Sequence, residues 1–394
     1  MDKGILLQPK IQAFIREHER DDLRHLMLQK EKYSSLPLAE IIDQISARKK
    51  AERKLPTWYK TEGILFPKSV SVEQSSSEAT AKYKVGLFSG KSAVDLTGGF
   101  GVDSYYLAKK FDRLYHVEKN KELAQIAQHN FSCLKQQNIK TEFLSAESFL
   151  DRNKETFDLV YIDPDRRPDQ KRVTGFMESK PDLLKLLPEL QKITANILVK
   201  ASPMMDISLG VKELGNVKQV IVLAIENELK ELLFWLSPRE DAPLSIRCVN
   251  ITKEGEQLLE YIALEEQQEY CNYENISNFL YEPNASIMKA GAYNLLCKKF
   301  NLKKLHPNTH LYTSDKLVDT FPGRRFKVLG EVPYNKRKVL PLFSSSKANI
   351  SVRNFPDSPE QVKKKLALKD GGQQYLFGYR NANKDLRIAV CEKV

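Results

Sequence analysis

The chain has 394 residues, 62 Lys/Arg against 51 Asp/Glu for a formal net charge of +11, and 41% hydrophobic residues. That length exceeds one typical domain, and the apolar share is enough for real cores, which excludes wholesale disorder. There is no apolar run of about eighteen residues, so a membrane helix is not expected.

The opening Met1-Asp2-Lys3-Gly4 lacks the charged-then-apolar pattern of a signal peptide, and a cytoplasmic protein is expected. Cysteines 133, 248, 271, 297 and 391 are scattered without a CxxC pair, so buried or incidental thiols are expected rather than a disulfide framework or zinc knuckle. His306 and His310 lie four apart, but Pro307 interrupts the helix that would aim both at one metal, and no metal site is expected. The charge is unevenly placed: from Phe321 onward sixteen Lys/Arg face six Asp/Glu. A basic module beside a near-neutral remainder points to phosphate, hence nucleic acid.

In chain order, residues 10–54 read as helices: Ile11, Phe14, Ile15, Leu23, Leu26, Met27, Ile41, Ile42 and Ile45 fall at helical spacing among charges. Pro37 and Pro56 punctuate this region, which is expected to cap the next domain. In "SVEQSSSEATAKYKVGLF", Ser75 and Glu78 fit a capping box, so a helix is predicted from about Ser76 to Phe88. From Ser92 to about Glu265 apolar strands alternate with helical stretches. The predicted strands are Ser92–Leu96, Arg113–Glu118, Lys140–Leu144, Phe157–Ile162, Asn196–Ala201, Lys218–Ile225 and Glu231–Leu236. This alternation predicts an α/β fold, a Rossmann-like doubly wound and mostly parallel seven-stranded sheet. The last two strands are too close in sequence for a crossover and should pair antiparallel. Ser245–Asn250 and Leu258–Leu264 suggest a further hairpin. Residues 266–320 read as a small α+β module, and the tail reads strand, helix, strand, strand.

"VDLTGGFGVDSYYLAKKF" (94–111) places an acid, a glycine turn and a helix start together, the way a fold presents backbone amides to a ligand. A P-loop needs GK[ST] after the turn, and Val102-Asp103 stand there instead. A dinucleotide fingerprint needs glycine at Ser104, and Asp95 would face a pyrophosphate of like charge. S-adenosylmethionine carries an ammonium, a sulfonium and an adenosine but no phosphate, so Asp95 helps, while Gly98, Gly99 and Gly101 allow close approach. Glu118, twenty-three residues on in "YHVEKN" beside Lys119, is placed to accept from ribose hydroxyls, and Glu147 in "LSAES" lies near the adenine edge. The fourth strand ends in "VYIDPDRRP", where Pro164 stiffens the turn and leaves Asp163 facing the cleft.

With those residues in view, the chain resembles class I S-adenosylmethionine-dependent methyltransferases. "DLTGGFG" is similar to the D-x-[FT]-x-G-x-G loop of RNA-modifying members such as the cap guanine-N2 methyltransferases, and "IDPDRR" resembles the [DN]-P-P-[YF] motif of base methyltransferases. Together with "SVEQSSSEATAKYK", "VKASPMMD", "ENELKELL" and "RNFP", these segments resemble a bacterial family that joins such a domain to a small ferredoxin-like module and a C-terminal THUMP-like domain. The resemblance implies an N-terminal helical region (1–74), a methyltransferase domain (75–265), a ferredoxin-like connecting module (266–320) and a basic THUMP-like domain (321–394). It implies that Asp95, Thr97, Gly99 and Gly101 hold the methionine end, Glu118 the ribose and Glu147 the adenine, with Gln74 and Ser76 in lesser roles. Asp163 would accept from the amine being methylated. Thr97 stands where the commonest loop has glycine, and Asp165 and Arg166 replace the second proline and the aromatic of the acceptor motif.

The expected reaction is direct methyl transfer to an RNA base nitrogen, in tRNA or rRNA. Asp163 and the Pro164 carbonyl would accept N–H bonds, Asp165 would take a proton, and Arg166 or Arg167 would stack or bind phosphate. Pyrimidine C5 chemistry is disfavoured, because Cys133 falls mid-helix and no cysteine lies near Asp163. Arg324, Arg325, Lys336, Arg337, Lys338, Arg353, Phe355, Lys363, Lys364 and Lys365 are the candidate RNA contacts. Two other readings stay open on these residues: a methyltransferase of proteins or small molecules, and a silent RNA-binding protein on the same scaffold.

Overall fold

The computed structural model describes residues 3–165, 175–238 and 242–394. They divide into two compact units, residues 3–218 with 231–242 and residues 219–230 with 243–394. Among the described residues, no helix is long and apolar enough to cross a membrane.

Nine strands run through the βα region: β1 Gly90–Asp95, β2 Phe111–Val117, β3 Ile139–Glu142, β4 Leu159–Ile162, β5 Ile197–Ala201, β6 Val217–Ile225, β7 Glu228–Leu236, β8 Ser245–Thr252 and β9 Gly255–Ile262. In the first unit the order is β3-β2-β1-β4-β5-β7. The first five of these are parallel, and β7 runs antiparallel to β5. In the second unit β6 pairs parallel with β8, and β8 antiparallel with β9. The strands are therefore nine and of mixed direction, where the sequence suggests seven, mostly parallel. The two extra strands are the Ser245 and Leu258 stretches read from sequence as a separate hairpin. Between β6 and β7, Glu226 and Asn227 hold φ of 50° and 62°, the two-residue pattern of a type I′ reversal.

The N-terminal helices share one core with the glycine-turn region. Ile11, Ile15, Leu26, Ile41, Ile45 and Trp58 pack with Phe100, Tyr105, Ile126 and Phe131, and the Trp58 ring sits 4.7 Å from that of Phe100. The helical region thus steadies the loop that follows β1.

The capping box expected at Ser75 does not form. Ser75 closes the preceding helix Ser69–Gln74, its hydroxyl donating to the Val72 carbonyl at 2.9 Å. Ser77 caps the next helix, Glu78–Val85, by accepting from Thr80 N. Glu78 is drawn away from the cap to accept from Thr57 N (2.8 Å) and Thr57 Oγ (2.7 Å).

The second unit also holds β10 Phe279–Pro283, β11 Lys303–Lys304, β12 Tyr312–Ser314, β13 Gly323–Pro333, β14 Lys347–Arg353, β15 Lys369–Arg380 and β16 Leu386–Lys393. They form a sheet in the order β11-β12-β10-β13-β16-β15-β14. The tail follows the expected strand, helix, strand, strand order, with helix Pro359–Leu366 crossing between parallel β14 and β15. Alternation along β15 and β16 sends Phe377, Tyr379, Ala389 and Cys391 to one core and Leu376, Ile388 and Val390 to the other. Cys271 and Cys297 pair as a disulfide, against the expectation of scattered thiols, because the fold brings together residues 26 apart. His310 stacks on Tyr293 with ring centroids 3.7 Å apart, and His306 Nδ1 accepts from Asn308 N.

Candidate active site

A cleft of about 660 Å³ opens in the first unit at the carboxyl ends of β1, β2 and β4. It is lined by Gln74, Ser76, Asp95, Thr97, Gly98, Gly99, Gly101, Glu118, Lys119, Glu147, Asp163 and Asp165, with Lys200 rising from β5. This is the edge at which parallel α/β sheets bind ligands.

The turn after β1 is shaped by its glycines. Gly99 and Gly101 hold φ of 53° and 88°, and Gly101 opens helix Val102–Leu107. A Cβ on Gly101 would lie 2.6 Å from the Phe131 ring, and one on Gly98 would lie 2.2 Å from His116 Cε1. Gly101→Val is therefore expected to destabilise the protein by about 2–4 kcal/mol, from left-handed strain plus overpacking. A denaturant midpoint within error of wild type would contradict this.

Asp95 works inside the turn. It is 1% exposed and accepts from Thr97 N (3.1 Å) on one oxygen and Ser104 Oγ (2.6 Å) on the other. Burial pushes its carboxyl up to about 7, against the pull of Ser104. Ser104 Oγ also lies 2.8 Å from His116 Nδ1. Burial holds His116 down at about 3, hence neutral at pH 7. With Ser104 donating to Asp95, His116 must carry its proton on Nδ1, and its Nε2 has no partner among the described residues.

Glu118, at the end of β2, is nearly buried and braces the turn: Oε2 accepts from Gly99 N at 2.8 Å and Oε1 from Asn120 N at 2.7 Å. Each oxygen keeps a second lone pair for a ligand hydroxyl. Glu147 is exposed in the first turn of helix Ala146–Arg152, and Lys119 and Gln74 are exposed on the cleft wall.

At the end of β4, the Asp163 N–H donates to Thr97 Oγ at 2.7 Å, tying the acceptor-motif turn to the glycine turn. The Asp163 carboxylate is ion-paired with Lys200 of β5. Pro164 is half-buried, and Asp165 is exposed, its N–H bonded to the Lys180 carbonyl at 2.8 Å. Arg166 and Arg167 lie outside the described residues.

Behind the cleft wall is a charge cluster. Ser76 Oγ accepts from Lys84 Nζ (2.9 Å) and Lys200 Nζ (3.2 Å) and donates to Asp103 Oδ2 (2.7 Å). Lys84, fully buried, also meets Asp103 and Glu231, each at 2.8 Å. Tyr161 OH donates to Asp103 Oδ2 at 2.9 Å. Burial works to raise the Asp103 carboxyl, but Lys84 and Lys200 outweigh it and hold it at about 2. Burial lowers Lys200, yet Asp163, Asp103 and Glu231 outweigh that and carry it well above the usual lysine range.

The site residues chosen from sequence omit Ser104, Lys84, Asp103, Lys200 and Glu231. A signal was present for Lys200, a lysine inside the apolar strand "ILVKA". Lys84 and Glu231 meet only through folding, 147 residues apart.

In the second unit the basic candidates are spread and largely paired. Arg324 and Arg353 both grip buried Glu282, Arg324 Nε donating to its Oε2 at 2.6 Å. Arg325 bonds Asp319, Lys363 pairs with Asp370 and Lys365 with Asp357. Phe355 is half-buried against Tyr334, ring centroids 5.0 Å apart. Lys336, Arg337, Lys338 and Lys364 are exposed.

Residues 279–322 match a ferredoxin-like domain, and residues 323–393 match a THUMP domain-like family. No curated protein matches the chain. A crystal structure described as "putative methyltransferase from Porphyromonas gingivalis W83" is similar over 100% of this chain and 99% of that one, at 30% identity and a TM-score of 0.87. Shorter likenesses include a "putative methyltransferase from streptococcus mutans in complex with SAH" (10% identity, TM-score 0.30, 40% of this chain and 97% of that one). Another is an rRNA methylase from Streptococcus thermophilus (12% identity, TM-score 0.31, 40% and 93%). Identity at the level of the first, over the whole of both chains, settles kinship: this chain belongs to the family of the Porphyromonas gingivalis protein, with a ferredoxin-like and a THUMP-like domain as its last two modules.

Proposed function

We propose that the protein is an S-adenosylmethionine-dependent methyltransferase that modifies an RNA base at nitrogen. The observation that carries this reading is the cleft itself, where a glycine turn braced by Asp95 and Glu118 meets the Asp163-Pro164 turn through the Thr97 hydroxyl. Its walls suit an amine, a sugar and a purine better than a pyrophosphate, because the groups nearest the turn are carboxylates.

In this reading the glycine turn, by its close approach, and the Thr97 hydroxyl hold the methionine end. Glu118 accepts from the ribose, while Glu147 and Gln74 border the adenine. Asp95 positions the turn instead of touching the ligand, since its carboxylate is buried and bonded within it. The bound cofactor supplies an activated methyl on a sulfonium. Asp163 and the Pro164 carbonyl accept the N–H bonds of the acceptor nitrogen and aim its lone pair; Asp165, exposed to water, carries the proton away. The THUMP-like module supplies grip on RNA, through Lys336, Arg337, Lys338 and Lys364 before the arginines already paired with Glu282.

The reading is tested by incubating the protein with tritiated S-adenosylmethionine and total RNA from a strain lacking it. Label that enters RNA and is released by RNase supports it. Label in protein or small molecules, or in nothing, contradicts it. Changing Lys336, Arg337 and Lys338 together to Gln is expected to weaken RNA binding by about tenfold near physiological salt. The salt slope should fall by roughly 2, at about 0.7 for each phosphate no longer neutralised. A filter-binding salt titration with an unchanged slope would remove those residues from the interface.

A further inference from the structure

Lys200 stands in a place that neither the acceptor motif nor the glycine turn explains. It is the one charged residue of β5, whose other members Ile197, Leu198, Val199 and Ala201 are buried. Burying an ammonium is expensive unless it is paired and hydrogen-bonded. Lys84 already pairs with Asp103 and Glu231, which leaves Asp163 as the carboxylate in direct contact with Lys200. The added cation serves Asp163. That residue's backbone is fixed separately, by the Thr97 hydroxyl, so Lys200 governs its side chain alone. Lys200 takes Asp163 Oδ2 and leaves Oδ1 without a partner among the described residues. The carboxylate is about one-third exposed.

We propose that Lys200 is a positioning residue of the acceptor site: by its ion pair with Asp163 and its hydrogen bond to Ser76 Oγ, it keeps the Asp163 carboxylate charged, fixes Oδ2, and presents Oδ1 to the acceptor N–H. The proposal rests on the methyl-transfer reading of the cleft.

The groups facing Asp163 set the direction of its pH response. Burial lifts its carboxyl, and Lys200 of β5 pulls it back. Asp103 on helix Val102–Leu107 lifts it, and Lys84 on helix Glu78–Val85 opposes. Asp95 of β1 and Tyr161 of β4 also interact with it, and Glu231 of β7 acts on Lys200. Without Lys200, burial and the neighbouring carboxylates dominate, and Asp163 binds its proton at higher pH. A protonated Asp163 loses the charged acceptor that orients the amine, so the acid limb of the rate profile moves up with it.

The test uses full-length protein carrying carboxyl-¹³C aspartate, with the Asp163 resonance assigned by its loss in Asp163→Asn. In Lys200→Gln, the Asp163 titration midpoint is expected to rise by at least about one pH unit, a tenfold change in its protonation equilibrium. Initial rates of tritium transfer into total RNA from a strain lacking the protein are expected to fall about 10- to 100-fold in kcat at pH 7, with recovery toward high pH and an unchanged KM for RNA. Lys200→Arg, which keeps the charge, is expected to restore both the titration and most of the rate. Lys200→Met, which fills the same space, is the second variant if glutamine is not folded by circular dichroism. An unmoved Asp163 midpoint in the neutral variant, or a rate loss with an unshifted acid limb, overturns the proposal. Wild-type protein that takes up no S-adenosylmethionine also ends it, but does so by removing the reading on which it rests, a result separate from the carbon-13 titration.

Discussion

Lys84→Met is expected to lower the free energy of unfolding by about 3–5 kcal/mol, the range for removing one partner of a buried ion pair. Lys84 is fully buried and is the cation shared by Asp103 and Glu231, with a third bond to Ser76. Methionine fills the same volume but leaves Glu231, 3% exposed, with no countercharge at hydrogen-bond distance among the described residues. Coulomb repulsion between Asp103 and Asp163, now held off by two lysines, would add to the loss. The check is a urea titration of wild type and variant, reading the midpoint at constant slope. Pairing the change with Glu231→Leu should recover part of the loss, since the two residues are in contact and their effects will not add. A single variant within about 1 kcal/mol of wild type would mean that water already reaches the cluster.

The second large effect falls on chemistry and leaves folding nearly untouched. Asp163→Ala is expected to cut methyl transfer into RNA by about 10²-fold or more, the usual scale for a positioned acid–base or hydrogen-bonding carboxylate. S-adenosylmethionine affinity should stay within about threefold, because the glycine turn and Glu118, which form the cofactor side, do not depend on the Asp163 side chain. Removing Asp163 also strands Lys200, though less severely than the reverse case, since Ser76 still accepts from it and Asp103 and Glu231 still face it. Single-turnover rates set against equilibrium binding separate the two quantities. Equal losses in both would place Asp163 in the cofactor pocket instead of the acceptor pocket.

Most of the sheet was legible because buried parallel strands appear as short apolar runs between amphipathic helices, and β1 to β7 lie within a few residues of their predicted bounds. The reversed strand β7 could be anticipated from the short turn before it. What sequence could not supply was anything made by contacts between distant segments. The capping box at Ser75 failed because Thr57, twenty-one residues before Glu78, competes for the glutamate. The Cys271–Cys297 pair has no local spacing that announces it.

The site divides along the same line. Local chemistry marked the glycine turn, Glu118 and Asp163, where φ, strand end and proline speak within a few residues. Asp95 was marked too, but its side chain turns into the loop toward Ser104, a detail decided by the helix that follows. The lysines behind the cleft were not found: Lys84 lies in a helix among other charged residues, and the place of Lys200 in an apolar strand does not name its carboxylate partners. Net charge likewise pointed to the C-terminal module without showing that Arg324 and Arg353 are held by Glu282.

Calorimetric titration of the full-length protein with S-adenosylmethionine, with NAD as the phosphate-bearing comparison, decides whether the acid-braced glycine turn takes a phosphate-free sulfonium cofactor. Saturable binding at about one molecule per chain, with NAD weaker by at least about tenfold, or 1.4 kcal/mol, is the predicted result. No saturable uptake of S-adenosylmethionine, or tighter binding of NAD, would contradict it.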